Sequence, residues 1–446
     1  MAPLARDPIE PWVTILPGGV IEGEMCVPGS KSMAQRQLLA AFLAAGRTRI
    51  QGLPEGQDVQ ALLGALRVLA GSDWGRDGTF QGGAWGSQPR GAGERVLSVG
   101  ESGTAARLLT ACLALGGSSQ GPLRLVPEGS LRTRSSQALL EALEQAGARA
   151  SSSGQGGASW PLSIEPVDCP ENLILRNPRS SQEVSGLLFA LAARGAGTLT
   201  IHGGIPSAPY VRMTRCVLAE FGVRIEERGR CLEVNGDLRA PAHAIQVEPD
   251  ASSAAVALAA GCLGGGTVRV RGLGSNSAQG DVRVLEYLRA FGCSASEDAE
   301  GFVASGAPCR GATLDLRGEP DLAPILAVLG AMACVNSGQA TRLEGLGTLD
   351  HKESPRLTGL ARVLDQLGWQ VNTGRDWLAV EGAPLRPPEQ PLPRPLDPAG
   401  DHRMAFAFAL LGLSFTGVRI LGPECVRKSY PNFWEHLARL GARISN

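Results

Sequence analysis

The residues best suited to chemistry cluster where helices are predicted to begin. Pro28-Gly29-Ser30-Lys31-Ser32-Met33-Ala34-Gln35-Arg36 sets two cations and two hydroxyls just ahead of an apolar run, Leu38 to Leu43. Ser30 or Ser32 can cap that helix, and its free N–H groups and positive pole attract anions. If Lys31 and Arg36 share a side, both charges converge on one small volume. Glu101-Ser102-Gly103-Thr104, with Arg107 one turn later, opens a second helix, and Gly103 lets a ligand approach the backbone. Arg132-Thr133-Arg134-Ser135-Ser136, Ser180-Ser181-Gln182 and Ser207-Ala208-Pro209-Tyr210 open three more. Each segment singly is equally read as a helix cap or a basic turn. Their recurrence favours a trap for phosphate and carboxylate groups.

A second set adds acids. Asp321 precedes an all-apolar helix, Leu322 to Met332, which puts its carboxylate at a mostly dry edge. Lys352-Glu353-Ser354-Pro355-Arg356 packs acid, base and clamp into five residues, and Asp401-His402-Arg403 and Lys428-Ser429-Tyr430-Pro431 open further helices. Lysines and carboxylates at close range shift one another's pKa, as proton transfer requires. Asp250-Ala251-Ser252-Ser253 and Gln279-Gly280-Asp281 are read as mainly structural, capping near a hinge.

The elements that must position these groups repeat. Six helix-like stretches end in a residue-Gly step, at Gly71, Gly147, Gly222, Gly292, Gly368 and Gly441, 70 to 76 residues apart. Glycine after a helix is the expected left-handed cap, and strand-turn-strand follows at Val223 to Val234 and Trp369 to Val380. The repeat predicts an α/β fold of six subdomains in two lobes of three. Trp12 to Leu16 completes the sixth subdomain, placing both termini in one lobe. Lobe I is expected at 1–29 and 249–446 and lobe II at 30–248, with crossovers near 28–31 and 247–251 and helix N-termini facing an interdomain cleft. Gly82 to Gly93 and Pro384 to Pro398 are read as surface connections.

The 446 residues exceed one core, and 43% hydrophobic with 19% charged content describes a globular chain. A net charge of −1 and 4% aromatics exclude broad attraction to nucleic acid and base stacking. No apolar run reaches the roughly 20 residues that span a bilayer. Met1 to Asp7 lacks a signal-type apolar core, so the cytoplasm is expected. Ten scattered cysteines and five dispersed histidines form no C-x-x-C or ligand cluster, so no metal is expected and the thiols should be reduced and mostly buried.

In register along nearly the whole chain, Pro-Gly-Ser-Lys-Ser with Arg36, Ser-Gly-Thr with Arg107, Arg134, Ser-Ser-Gln, Ser-x-Pro-Tyr, Asp-Ala-Ser-Ser, Gln-Gly-Asp, Asp321, Lys-Glu-Ser-x-Arg, Asp-His-Arg-Met-Ala and Lys-Ser-Tyr-Pro resemble the 5-enolpyruvylshikimate-3-phosphate synthase family. The resemblance implies two lobes of three βαβαββ repeats. It also implies transfer of the enolpyruvyl group of phosphoenolpyruvate to the 5-hydroxyl of shikimate 3-phosphate, by addition and elimination of phosphate, with no metal or organic cofactor.

By the resemblance, Ser32 and Arg36 hold the shikimate carboxylate, and Ser180, Ser181 and Ser207 its phosphate. Gln182 lies against the ring and can contact both substrates. Asp321 and Lys352 reach the hydroxyls, with Asp321 the base. Glu353 protonates the methylene. Lys31, Arg134, Arg356, Arg403 and Lys428 clamp phosphoenolpyruvate, with the Gly103 backbone closing against it, in the pocket where the phosphonate glyphosate competes. The partners implied are these two metabolites, met by a monomer. Asp350, His351, Pro355, Ser135, Leu108 and Thr348 depart from the family pattern, and Pro355 removes a carboxylate beside Arg356. Two rivals are the sister family acting on UDP-N-acetylglucosamine, disfavoured by the absence of a cysteine at 132–136, and a homologue that only binds anions.

Overall fold

The computed structural model describes residues 12–83, 94–117, 121–382, 392 and 394–445. The chain divides into two compact units, each with its own apolar core. The first comprises Met1–Val27, Ala251–Ser275 and Asp281–Asn446, and the second Pro28–Asp250 and Asn276–Gly280. The Met1 to Asp7 segment and most of the two glycine- and proline-rich connections lie outside the described residues. Leu396, at the end of the second connection, is buried and bridges Ile420, so that stretch rejoins a sheet rather than staying on the surface.

Six helices are described in each unit. The second holds α1 (Lys31–Leu43), α2 (Gln57–Ala70), α3 (Gly103–Ala114), α4 (Gln137–Gln145), α5 (Ser181–Arg194) and α6 (Pro209–Glu220). The first holds α7 (Ala251–Leu263), α8 (Val284–Ala290), α9 (Ala323–Ser337), α10 (Arg356–Gln366), α11 (His402–Gly412) and α12 (Phe433–Arg439). The even-numbered helices close on the six expected glycines, all at positive φ: 115° at Gly71, 89° at Gly147 and Gly222, 86° at Gly292, 99° at Gly368 and 113° at Gly441. A side chain would strain that conformation.

Six small sheets, five mixed and one antiparallel throughout, are compatible with the sixfold reading. In one, Asn172–Arg176 pairs in parallel with Ala196–His202, which pairs antiparallel with Cys231–Asn235, and that strand with Arg224–Arg228. The same parallel-then-antiparallel order recurs from Gly23–Met25 through Thr267–Arg271 to Gly301–Ser305, and from Thr313–Asp315 through Thr341–Glu344 to Trp377–Glu381. Trp12–Leu16 lies between Val418–Leu421 and Arg443–Ser445, so the two described ends of the chain share a sheet.

The odd-numbered helices are the buried ones. Nearly every residue of α3, α5, α7, α9 and α11 is inside its unit. Pro320–Ser337 is long and apolar enough to cross a membrane by composition alone, but most of it is buried in the first unit's core. α3 and α5 approach so closely that a Cβ at Gly186 would lie 2.8 Å from the Ala111 Cβ and 2.9 Å from the Arg107 carbonyl oxygen. A helix buried along its length must satisfy its first N–H groups with polar residues at its start. That requirement places the polar clusters.

Candidate active site

In the second unit the polar residues gather at the starts of α1, α3, α5 and α6. Ser30 caps α1 by accepting from the Met33 N–H. Lys31 Nζ donates to Asp58 Oδ2 at 2.8 Å, and Gln35 Nε2 donates to the Asp58 carbonyl and to Ser102 Oγ, each at 2.7 Å. Arg36 is 1% exposed. Its Nε donates to Thr214 Oγ1 and its Nη1 to the Ser32 carbonyl, both at 2.8 Å, and its Nη2 to Ser185 Oγ at 3.4 Å. These partners are hydroxyls and a carbonyl, with no carboxylate among them. Burial pushes the Arg36 pKa down to about 10, against a smaller opposing effect of Tyr210.

Arg107 repeats the pattern. Nη1 donates to Gln182 Oε1 at 2.8 Å and Nη2 to the Ser135 carbonyl at 2.9 Å, while Gln182 Nε2 donates to Thr104 Oγ1 at 2.8 Å. Burial lowers its pKa to about 10 as well, with Glu183 opposing and Arg134 reinforcing the shift. Arg134 Nη2 donates to Ser130 Oγ at 2.9 Å. Gly103 sits beneath this pair: a Cβ there would lie 3.0 Å from Arg107 Nη1 and 3.2 Å from Arg134 Nη1. Ser180 caps α5 in a capping box with Glu183, and Ser181 follows in the first turn. Ser207 stands ahead of α6 at φ 52°, a strained conformation for serine, and is buried.

The first unit's cluster is built around carboxylates. Asp321 Oδ1 accepts from Arg356 Nη1 at 2.8 Å and lies 3.5 Å from Lys352 Nζ, while its Oδ2 is 3.2 Å from Arg403 Nη2. Asp401 takes Arg356 through both oxygens, Nε at 2.7 Å and Nη2 at 3.2 Å, and also caps α11 by accepting from the Arg403 N–H at 3.0 Å. Glu353 Oε2 is 2.9 Å from His402 Nδ1 and 3.3 Å from Lys428 Nζ. Burial works against the Glu353 carboxylate. The His402 charge and hydrogen bond, with Lys428 and Arg356, outweigh it and hold the group well below the usual carboxylate range. Burial likewise works against the Arg356 charge, and Asp401, Asp321 and Glu353 overcome it, raising its pKa. Glu353, Asp401 and His402 bring donor atoms within 4.8 Å of one another. Lys428 and Arg356 already occupy two of the three, so the surroundings suit an anion better than a cation.

Several expectations change in detail. Asp321, its side chain 15% exposed, stands at the mostly dry edge expected of it but is ringed there by Lys352, Arg356 and Arg403. Lys31 and Arg36 take different partners. Gln182 braces Arg107. Asp401 supplies Arg356 with a bidentate carboxylate despite Pro355, which sits at the N-cap of α10, where its missing N–H costs nothing. Asp350 has its own task, accepting from the Thr358 N–H at 3.2 Å and hydroxyl at 2.7 Å. The Thr348 hydroxyl is buried with no protein partner. Ser252 and Asp281, expected to be structural, reach Arg403: Arg403 Nη2 donates to Ser252 Oγ at 3.2 Å, and Ser252 donates to Asp281. Of the cysteines only Cys112, Cys262, Cys293 and Cys334 are buried; Cys26, Cys216 and Cys309 are exposed, and all ten are free.

Sequence reasoning missed Asp58, and it singled out the segments of Thr104, Asp401 and His402 without giving those residues a role in the site. The signal for Asp58 was an acid in the first turn of α2, which is indistinguishable from a capping or dipole role until a partner distant in the chain is known.

A family model for EPSP synthase (3-phosphoshikimate 1-carboxyvinyltransferase) matches residues 15–437. The chain is 36% identical to the 3-phosphoshikimate 1-carboxyvinyltransferase of Laribacter hongkongensis, over 97% of this chain and 100% of that one. It is also 36% identical to the protein of that name from Methanopyrus kandleri, over 95% and 97%. The solved EPSP synthase of Acinetobacter baumannii superposes with a TM-score of 0.76 at 26% identity, covering 98% of this chain and 100% of that one. With clusters of these residues at these helix starts, the chain belongs to the EPSP synthase family.

Proposed function

We infer that this chain transfers the enolpyruvyl group of phosphoenolpyruvate to the 5-hydroxyl of shikimate 3-phosphate, releasing phosphate, in the shikimate pathway. The observation that carries the chemistry is the convergence of Lys352, Arg356 and Arg403 on the single carboxylate of Asp321. Such a group can take a proton from a hydroxyl while its cations turn to an incoming phosphate or carboxylate.

In this reading the second unit holds shikimate 3-phosphate. Arg36, with Ser32, takes the carboxylate. Its buried guanidinium has hydroxyl and carbonyl partners, so an anion would supply the missing countercharge. Ser180, Ser181 and Ser207 take the phosphate, and Gln182 faces both substrates. Phosphoenolpyruvate is clamped by Lys31, Arg134, Arg356, Arg403 and Lys428, against the Gly103 backbone. Asp321 accepts the 5-hydroxyl proton as oxygen attacks the enolpyruvyl carbon, with Lys352 steadying the oxygen. Glu353 delivers a proton to the methylene. Because His402 foremost, with Lys428 and Arg356, depresses its pKa, Glu353 gains that proton only when the bound substrates draw those charges away. Loss of phosphate, with return of a methyl proton to the Glu353 carboxylate, then restores the double bond, and the proton held by Asp321 can leave with the phosphate.

We further read the enzyme as a cytoplasmic monomer that engages neither nucleic acid nor membrane. Ten free thiols suit a reducing compartment, and a net charge of −1 gives no general attraction to polyanions.

Steady-state phosphate release tests the function. Turnover should require both phosphoenolpyruvate and shikimate 3-phosphate. Turnover with UDP-N-acetylglucosamine in place of shikimate 3-phosphate, or none with either acceptor, would overturn the assignment.

A further inference from the structure

Ser252 lies in the first turn of α7, and Asp281 in the short 3-10 turn Gly280–Arg283. Both are buried, at 8% and 4% exposure, and so is Arg403 at 9%. The Ser252 hydroxyl donates to Asp281 and accepts from Arg403 Nη2. A hydroxyl has one proton, and a carboxylate only accepts. Asp281 therefore takes that proton and leaves the Ser252 lone pairs aimed at the guanidinium. Arg403 also holds Asp321, through Oδ2 at 3.2 Å and the carbonyl at 3.4 Å. The reaction must loosen the contact to the Asp321 carboxylate, because that group has to meet the acceptor hydroxyl. Ser252 is a contact that neither substrate needs to displace.

We propose that Ser252 and Asp281 are positioning residues that fix the plane of the Arg403 guanidinium for phosphoenolpyruvate. The proposal rests on the reading of Arg403 as part of that clamp. Asp281 orients the Ser252 hydroxyl, and Ser252 orients Arg403. An amide at 281 could turn its NH₂ toward Ser252 and compete with Arg403 for the same lone pairs, so charge at 281 matters as well as shape.

The test compares Ser252→Ala, Ser252→Thr, Asp281→Asn and the double variant Ser252→Ala/Asp281→Asn with wild type. Readouts are KM for each substrate and the rise in melting temperature with phosphoenolpyruvate. KM for phosphoenolpyruvate should rise about tenfold in Ser252→Ala and Asp281→Asn, the scale of one hydrogen bond to a charged group, while KM for shikimate 3-phosphate stays within about twofold. Ser252→Thr, which keeps the hydroxyl, should restore affinity. The double variant should be no worse than Ser252→Ala, since both act along one path. An unchanged KM for phosphoenolpyruvate in both single variants would overturn the relay. So would an equal loss for both substrates with a lowered melting temperature, the mark of a merely structural role. A wild type that is stabilised by phosphoenolpyruvate but does not turn over would instead overturn the functional reading alone, because the melting shift still reports on the relay.

Discussion

The two units place their buried arginines in opposite company, although Lys31 of the second unit does pair with the Asp58 carboxylate. In the second, Arg36 and Arg107 are buried among hydroxyls, a side-chain amide and carbonyls, and burial lowers the pKa of both. In the first, Lys352, Arg356, Arg403 and Lys428 are each drawn to a carboxylate, and those carboxylates raise the pKa of Arg356. A buried cation whose partners are neutral gains most from a ligand that brings its own negative charge. A cation already paired gains little and must first exchange partners. On the proposed reading, the arginines with neutral partners serve binding and the carboxylate-rich cluster serves reaction, with Glu353 held ionised by the cations around it.

Breaking the acid-rich side should cost most. Asp321→Asn and Glu353→Gln should each lower kcat about a thousandfold, the range for losing a proton-transfer group, measured by phosphate release. Asp401→Ala leaves Arg356 buried with part of its countercharge gone and α11 uncapped. It should cost about 3–5 kcal/mol of stability, read by denaturant titration. In the second unit, Arg36→Ala should raise KM for shikimate 3-phosphate about thirtyfold and leave KM for phosphoenolpyruvate nearly unchanged, as expected for one charge-assisted contact. Gly103→Ala brings a methyl against Arg107 and Arg134 at the flexible ends of their side chains. It should raise KM for phosphoenolpyruvate and the inhibitory constant of glyphosate about tenfold without loss of melting temperature.

The smallest expected effect is the acid dependence of Glu353. Its folded pKa lies below its unfolded value, so its stabilising contribution is present above the usual carboxylate pKa and is lost as pH falls through the depressed folded value. The difference in melting temperature between wild type and Glu353→Gln should be constant near neutral pH. It should vanish only in acid below the ordinary carboxylate range.

How much of this was legible in the chain follows from what is local. Ser30, Ser102 and Ser180 announce helix starts because a cap needs only its own next few residues, and the six glycines announce helix ends for the same reason. Which acid meets which base is not local. Asp58 lies 27 residues from Lys31, and Asp401 lies 45 from Arg356. The hydroxyl of Ser252 meets Arg403 across 151 residues. Such pairings depend on which helices pack side by side, and apolar periodicity says only that they pack. The proline at 355 shows the converse: a local rule suggested a damaged clamp, and a distant carboxylate supplies what the loop lacks.

Calorimetric titration of shikimate 3-phosphate alone into wild type, Arg36→Ala and Asp321→Asn tests the division of labour most directly. Arg36→Ala should lose most of the affinity, whereas Asp321→Asn should bind within a few-fold of wild type and yet fail to turn over. Equal binding by Arg36→Ala and wild type, or loss of binding in Asp321→Asn alone, would contradict it.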